Sequence, residues 1–194
     1  MQLSVKGHQL AIGDALRVHI EDSLNHILSK YFGDAIDAQV TLSRDGHNYR
    51  AVVSAHVGRN IQLEAHGEAA QPYPAYDAAA DRLSKRLRRH KRWLRSHHRE
   101  DSGDLEPLPA QQYILSGEAD EDGEWEHADG RPVVVAEMVT EIPNLTVGEA
   151  VMRMDLADQG AMMFRNRAHG GLNMVYRRTD GNIGWIDPRG NRGT

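Results

Sequence analysis

The chain has 194 residues, a formal net charge of −5, 40% hydrophobic residues and no cysteine. This length suits one medium domain or two small ones. The lack of cysteine excludes disulfides, thiolate metal sites and thiol nucleophiles, and it fits a reducing compartment. The sequence contains no apolar run that would span a bilayer and no signal peptide at its start, so we expect a cytoplasmic protein.

Charge is segregated along the chain. Residues 1–99 carry 15 Lys and Arg against 10 Asp and Glu, whereas residues 100–130 carry 11 acidic residues and no Lys or Arg. Segregated charge says more about partners than the total does. We therefore expect an N-terminal domain (1–99), a flexible, disordered acidic linker (100–131) in which Tyr113-Ile114-Leu115 docks at most transiently, and a small C-terminal domain (132–190).

The predicted elements of the N-terminal domain run strand, helix, three strands, helix. A stripe of apolar residues predicts the first helix over 14–31. Its members are Leu16, Ile20, Leu24, Ile27 and Tyr31. Period-two alternation predicts the following strands, at about 36–42, 49–57 and 61–65. Turns are expected at Asp45-Gly46 and at residues 58–60. This order favours an α+β fold of type βαβββα, a four-stranded sheet with two helices on one face and an open, mildly basic face carrying Lys6 and Arg50.

The second helix, which follows Pro72 and Pro74, is the most informative stretch. After Asp81 no acidic residue occurs until Glu100. At about 100° per residue one face of this helix is apolar, comprising Tyr76, Ala80, Leu83, Leu87, His90 and Leu94. The opposite face is cationic, comprising Arg82, Lys85, Arg88, Arg89, Arg92 and Arg95. Arg86 and Lys91 flank the apolar stripe.

This cationic face predicts a polyanionic partner. A face that is merely kept soluble mixes charges, because like charges four residues apart repel each other. The excess of arginine favours bidentate phosphate contacts, so we expect all eight cations to bind RNA, with Lys6 and Arg50 as weaker contacts. The sequence lacks the stacking aromatics of an RRM and any helix-turn-helix or zinc signature, which favours folded RNA over base-specific DNA reading. An anionic membrane surface is the alternative, although the core requires the apolar face. The acidic linker is a hypothetical competitor for the same cations.

The C-terminal domain is predicted to be small and mixed. A strand begins at about Val133, and Thr146 with Glu149 forms a capping box before a short helix. Three strands follow, the last two joined by a hairpin at Thr179-Asp180-Gly181-Asn182. About sixty residues bury little surface alone, so we expect pairing with a second copy. The methionines at 152, 154, 162 and 163 suit either the core or the seam between copies.

Catalytic chemistry is not indicated by any motif in the sequence. The 11 histidines include His90, which we expect in the core, and they form no HExxH or paired-carboxylate pattern. A GxSxG nucleophile motif and glycine-rich phosphate loops are also missing. We therefore predict no enzyme, no metal, no cofactor and no small-molecule substrate.

Two segments carry a family resemblance. Residues 173–188, from Asn173 through Tyr176-Arg177-Arg178 to Pro188, resemble the carboxy-terminal signature of long-form ribosome hibernation promoting factors (the ribosome-associated inhibitor or sigma-54 modulation protein family). Tyr73, Asp77 and the stretch 81–93 resemble that family's amino-terminal basic helix. One departure is Ala161-Met162-Met163-Phe164, where the family has an aromatic pair.

The resemblance implies a function in ribosome hibernation. The amino-terminal domain would bind the small ribosomal subunit and its rRNA between head and body, in the mRNA and tRNA channel, and block translation. The carboxy-terminal domain would form a homodimer that pairs two ribosomes, through a seam of Phe164, Val175, Tyr176, Ile183 and Trp185. Tyr176 and Trp185 suit a monomer core equally well. A rival hypothesis is a modulator of transcription that binds a protein and leaves RNA alone.

Overall fold

The computed structural model describes residues 2–32, 35–57, 61–96, 106–116 and 133–188. The predicted turn at 58–60 and most of the predicted linker lie outside these residues. Within the described part of the chain, no helix combines the length and the apolar character needed to cross a membrane.

The N-terminal unit is a four-stranded sheet covered on one face by two helices, as the sequence predicted. Its elements are β1 (Gln2–His8), α1 (Asp14–Tyr31), β2 (Ala35–Asp45), β3 (Asn48–Val57), β4 (Ile61–Ala69) and α2 (Pro72–Ser96). The strand order is β1-β2-β3-β4, with β1 parallel to β2 and the other pairs antiparallel. The turn at Asp45-Gly46 is confirmed, and Gly46 adopts the positive φ of 58° that favours glycine.

Aliphatic side chains fill the space between sheet and helices. Helix α1 begins and ends where its apolar stripe predicted. It buries four residues fully or nearly so: Leu16, Ile20, Leu24 and Leu28. The predicted stripe placed Ile27 rather than Leu28 on the inner face, but Ile27 is only half-buried. One helical position separates the two, so both touch the same core from neighbouring angles.

The C-terminal unit is a second, smaller α/β layer. It contains β7 (Asn144–Leu145), α3 (Val147–Leu156), β8 (Ala161–Asn166), β9 (Leu172–Arg177) and β10 (Ile183–Ile186), with sheet order β10-β9-β8-β7. The predicted capping box is confirmed: Glu149 N–H donates to Thr146 Oγ1, and the Thr146 N–H donates to Glu149 Oε2 at 2.8 Å. The predicted hairpin is also confirmed. The Asn182 backbone N–H, and then Arg178, hold the pKa of Asp180 below its ordinary value.

Part of the predicted linker is a strand. Strand β5 (Leu108–Leu115) pairs antiparallel with strand β6 (Val134–Ile142), and the two form a two-stranded ribbon. The expectation of an unstructured linker is therefore wrong for this stretch, because its modest β-propensity is completed by the valine-rich partner strand. Tyr113-Ile114-Leu115 belongs to the ribbon and stays largely exposed. The acidic residues at 117–132 lie outside the described residues.

Candidate nucleic-acid interface

Helix α2 packs on the sheet by the predicted apolar face. Tyr76, Leu83 and Leu87 are at most 1% exposed, and His90 is 9% exposed. The Tyr76 hydroxyl donates to the Ile20 carbonyl at 3.2 Å, which fastens α2 to α1. The predicted stripe is wrong at its last member: Leu94, one turn beyond His90, keeps 48% of its surface exposed. The apolar face of α2 therefore reaches the core over four turns rather than five.

Close backbone packing allows α2 to lie against β4. A Cβ on Gly67 would overlap the Ala75 carbonyl oxygen and the Ala79 backbone nitrogen. Any side chain at this position would therefore push helix and strand apart. Gly67 thus sets the distance at which the cationic side of α2 stands above the sheet.

The predicted cations form one exposed surface, which we call the basic ridge. All of its six members are exposed in the structure: Arg82, Lys85, Arg88, Arg89, Arg92 and Arg95. Arg86 and Lys91 flank it and are half-buried, as the helical spacing predicted. Asp81 relieves the repulsion only at the start of the ridge, where its carboxylate pairs with Lys85 at 2.7 Å. Such an exposed pair is worth at most about 1 kcal/mol.

Three of the cations are also tethered to backbone carbonyls. Arg82 donates to the His66 carbonyl at 2.7 Å and Arg86 to the Glu64 carbonyl at 2.6 Å, both on β4. Lys91 donates to the Lys30 carbonyl at 3.3 Å, at the negative end of α1. These bonds reduce the side-chain freedom of long cations, which lowers the entropy lost when they bind a phosphate.

A groove between α1 and α2 extends the ridge, and the sequence analysis missed it. It encloses about 230 Å³, and its charged lining comprises Lys30 from α1 and Lys85, Arg88 and the single acidic residue Asp81 from α2. The cations from the two helices therefore converge on one concavity. Lys30 is the basic residue in the last turn of α1, and only the pairing of the helices brings it beside the ridge.

Lys6 and Arg50 do not join the ridge. Both lie on the open face of the sheet, opposite the helices. Lys6 lines a polar concavity of about 430 Å³ together with Gln39, Ser54 and His56. Arg50 lies 3.9 Å from Glu68. The open face is polar as predicted, and it is much less cationic than α2.

The five residues of the predicted dimer seam separate into two groups. Phe164 and Val175 are fully buried in the core of their own C-terminal unit, beside Met154, and therefore supply no surface to a partner. Trp185 is 53% exposed, with its indole N–H donated to Asn173 Oδ1 at 2.9 Å. Ile183 is 38% exposed, and Tyr176 is half-buried over Gly184.

The outer face of the C-terminal sheet carries an apolar patch, of which the sequence predicted only Tyr176 and Met163 as candidates for the seam. Ile186 pairs with Met174, and Met174 pairs with Met163, so these three side chains stand side by side across three strands. Met163 and Ile186 are 49% and 45% exposed. Leu172 on β9 is also exposed, at 41%. We call these four residues and Tyr176 the outer apolar patch.

Acidic residues do reach the ridge, from a source that the sequence did not indicate. Asp155 Oδ2 accepts from Arg89 at 2.6 Å, and Asp158 pairs with Arg86. Asp155 lies in the last turn of α3 and Asp158 lies two residues beyond its end, so neither belongs to the linker. The predicted competition by the linker concerns residues that mostly lie outside the described part of the chain.

Among the described residues, no three His, Asp or Glu side chains lie close enough together to hold a metal ion.

Comparison with known proteins identifies the family. Residues 3–95 match the family described as "Sigma 54 modulation protein / S30EA ribosomal protein", and residues 129–184 match its C terminus. The chain belongs to this family. The resemblance inferred from residues 173–188 and the basic helix is thereby confirmed.

Relatives of this S30EA family member extend over its whole length. A "Ribosome hibernation promotion factor" of Rhizobium meliloti (strain 1021) is 37% identical, over 96% of this chain and 97% of the relative. A protein of the same name from Bradyrhizobium diazoefficiens is 34% identical, over 99% and 97%. Among solved structures, the Thermus thermophilus Protein Y N-terminal domain is 30% identical with a TM-score of 0.41, covering 46% of this chain and 99% of that one.

Proposed function

We propose that this chain is a ribosome hibernation factor that binds the small ribosomal subunit and blocks translation by occupying the mRNA and tRNA channel. The basic ridge carries the proposal, because six exposed cations lie together on one face of a single helix. The names of the relatives support it, since proteins 34–37% identical over nearly their full length are called ribosome hibernation promotion factors.

The ridge and the groove suit phosphates held in a fixed arrangement. Guanidinium groups bind phosphate oxygens in pairs, and the groove offers a concave cationic surface beside them. Such contacts neutralise phosphates without reading bases, which fits the shape-based recognition of folded rRNA. The mechanism is steric and involves no bond making or breaking.

The outer apolar patch supports the second half of the proposal, a homodimer through the C-terminal unit. An exposed cluster of methionine, leucine, isoleucine and tyrosine on a sheet face is typical of an interaction surface. A C2 dimer would bring the same patch from two chains together. Tyr176 remains in the proposed seam. Ile183 and Trp185 pair with Arg177 and Val175 and therefore lie on the other face of the sheet, so they leave the proposed seam together with the buried Phe164 and Val175.

Co-sedimentation with purified small subunits over a range of salt concentrations tests the ridge. We expect Arg88→Glu/Arg95→Glu to abolish most of the binding, because it reverses the charge of two exposed members of the basic ridge. Lys6→Glu/Arg50→Glu, with the same charge change on the opposite sheet face, is the matched control and should weaken binding far less. Replacing the two ridge arginines by Gln should lower the slope of log affinity against log salt by about two.

Two outcomes would contradict the proposal. Equal losses in both Glu variants would mean that total charge rather than the ridge determines binding. A wild-type chain that does not sediment with small subunits even at low salt would favour the rival hypothesis, a protein-binding modulator of transcription, whose affinity need not depend on counterion release.

A further inference from the structure

Helix α3 of the C-terminal unit lies along α2, and the contacts run antiparallel. At one end Gly148 faces Trp93, where a Cβ would stand 3.4 Å from the indole Cζ2. Further along, Asp155 meets Arg89. At the other end Asp158 meets Arg86. The contact therefore covers one side of α2 over about two turns, including cations that belong to the RNA-binding face.

Two carboxylates at the end of α3 each contact two basic side chains. The Asp158 carboxylate faces both Arg86 and His66, the latter at 3.1 Å. Asp155 bridges Arg89 and Arg177, at 2.6 and 3.1 Å. The carboxylates are 13% and 19% exposed, so water screens them less than it screens an ordinary surface pair.

An apolar contact accompanies these pairs. Leu156, the last residue of α3, is 1% exposed and packs in the apolar core of the N-terminal unit. The small core of the C-terminal unit is a separate cluster that includes Met154 and Phe164. One side chain of the C-terminal unit therefore completes the N-terminal core, which orients α3 and places both aspartates over the arginines.

We propose that this docked arrangement is an autoinhibited state, in which the C-terminal unit occupies part of the basic ridge and RNA must displace it. The inference rests on the proposed function, because it concerns regulation of the same surface. Asp155 and Asp158 stand where phosphates would otherwise approach Arg86 and Arg89. A ligand that needs the open state binds with an affinity lowered by the fraction of chains that are open.

The other side of the ridge stays accessible in the docked state. Lys85 and Arg88 line the α1–α2 groove, away from α3. RNA can therefore first contact this side and then compete with the two aspartates for Arg86 and Arg89. Release of the C-terminal unit would follow full engagement of the ridge, so that the unit becomes free to move only on the ribosome.

The test uses the full chain with Asp155→Asn/Asp158→Asn. Asparagine keeps the shape of both side chains, and it tolerates the positive φ of 52° at position 158. Glu137→Gln/Glu141→Gln is the matched control, since it removes two exposed carboxylates from β6 of the ribbon with the same change in net charge. Leu156→Ala opens the contact by a route that leaves every charge in place.

Closure is measured separately from binding. Because the chain has no cysteine, His47→Cys and Thr179→Cys introduce two unique sites for spin labels, one on an exposed turn of each unit. Dilution with unlabelled chain restricts the signal to distances within one molecule. We expect one narrow distance distribution for the wild type and the control, and a broad one for Asp155→Asn/Asp158→Asn and for Leu156→Ala.

Affinity for purified small subunits provides the second readout. The two opening variants should bind about three- to tenfold more tightly than the wild type, and the control should bind as the wild type does. A broad wild-type distribution, or opening without a gain in affinity, would overturn the autoinhibited state and leave the proposed function standing. A failure of every variant to bind would overturn the proposed function and this inference with it.

Discussion

The imidazole of His90 lies where three elements meet. It stacks near Trp93 of α2 with the ring centroids 6.5 Å apart, and it faces Phe32 at the end of α1 at the same distance. Burial lowers the pKa of His90, and the positive charge of Arg153 on α3 lowers it further. The sequence predicted a core histidine at this position from helical spacing alone, and the structure confirms it.

The lowered pKa gives stability a defined pH dependence. Between the folded-state pKa and the ordinary value of about 6.5, the unfolded chain binds a proton at His90 and the folded chain does not. The free energy of unfolding therefore rises with pH through this window. The contribution of the neutral, buried His90 to it is fully present above the window and is lost as the pH falls through it. We expect the urea midpoint of the wild type to fall as the pH is lowered below about 7, and the midpoint of His90→Gln to fall less. Above about pH 7 the two midpoints should change with pH in the same way. His8→Gln, which changes an exposed histidine, should follow the wild type, and an identical pH profile for His90→Gln would contradict the assignment.

At the scale of elements, the contact between β4 and α2 depends on the missing side chain of Gly67. Gly67→Ala places a methyl group against two backbone atoms of the helix, and neither can move without shifting α2. We expect a loss of about 2–3 kcal/mol in the free energy of unfolding, measured by urea denaturation. Gly160→Ala, where the new methyl group meets nothing within 4 Å, is the control and should change stability little. Equal losses in both variants would mean that the overlap with the α2 backbone does not determine the cost.

Local sequence patterns predicted the individual helices and strands better than they predicted which of these elements contact each other. The bounds of α1, the capping box at Thr146 and the cationic face of α2 follow from spacing within one segment, and all are confirmed. The parallel pairing of β1 with β2, the strand β5 and the groove beside Lys30 depend on segments distant in sequence. Periodicity within one segment does not report contacts between distant segments. For the same reason the sequence did not reveal Asp155 and Asp158 as partners of Arg89 and Arg86.

At the scale of the molecule, two opposite surfaces of the C-terminal unit are proposed to make different contacts. Helix α3 faces the ridge, while the outer apolar patch lies on the opposite face of the sheet. Docking on α2 and pairing with a second copy are therefore compatible. A dimer of closed chains is the state that we expect away from the ribosome.

The outer apolar patch allows the proposed homodimer to be tested by substitution. Met163→Lys puts a charge between Met174 and the neighbouring chain, and it should convert the dimer to monomer in sedimentation equilibrium. Binding to single small subunits should persist while pairing of ribosomes is lost. Val139→Lys changes an apolar residue that is 75% exposed on the β5–β6 ribbon, and it should leave the dimer intact. Dissociation by Val139→Lys alone would move the seam to the ribbon.

The arginine bonds to β4 affect how the protein behaves in a crowded solution. As the last strand of its sheet, β4 would ordinarily present a row of unpaired carbonyls on which a strand from another molecule can grow. Two of these carbonyls, at Glu64 and His66, are already occupied by Arg86 and Arg82. The same helix that carries the positive charge therefore covers part of this edge, and we expect it to hinder the addition of a strand from another molecule.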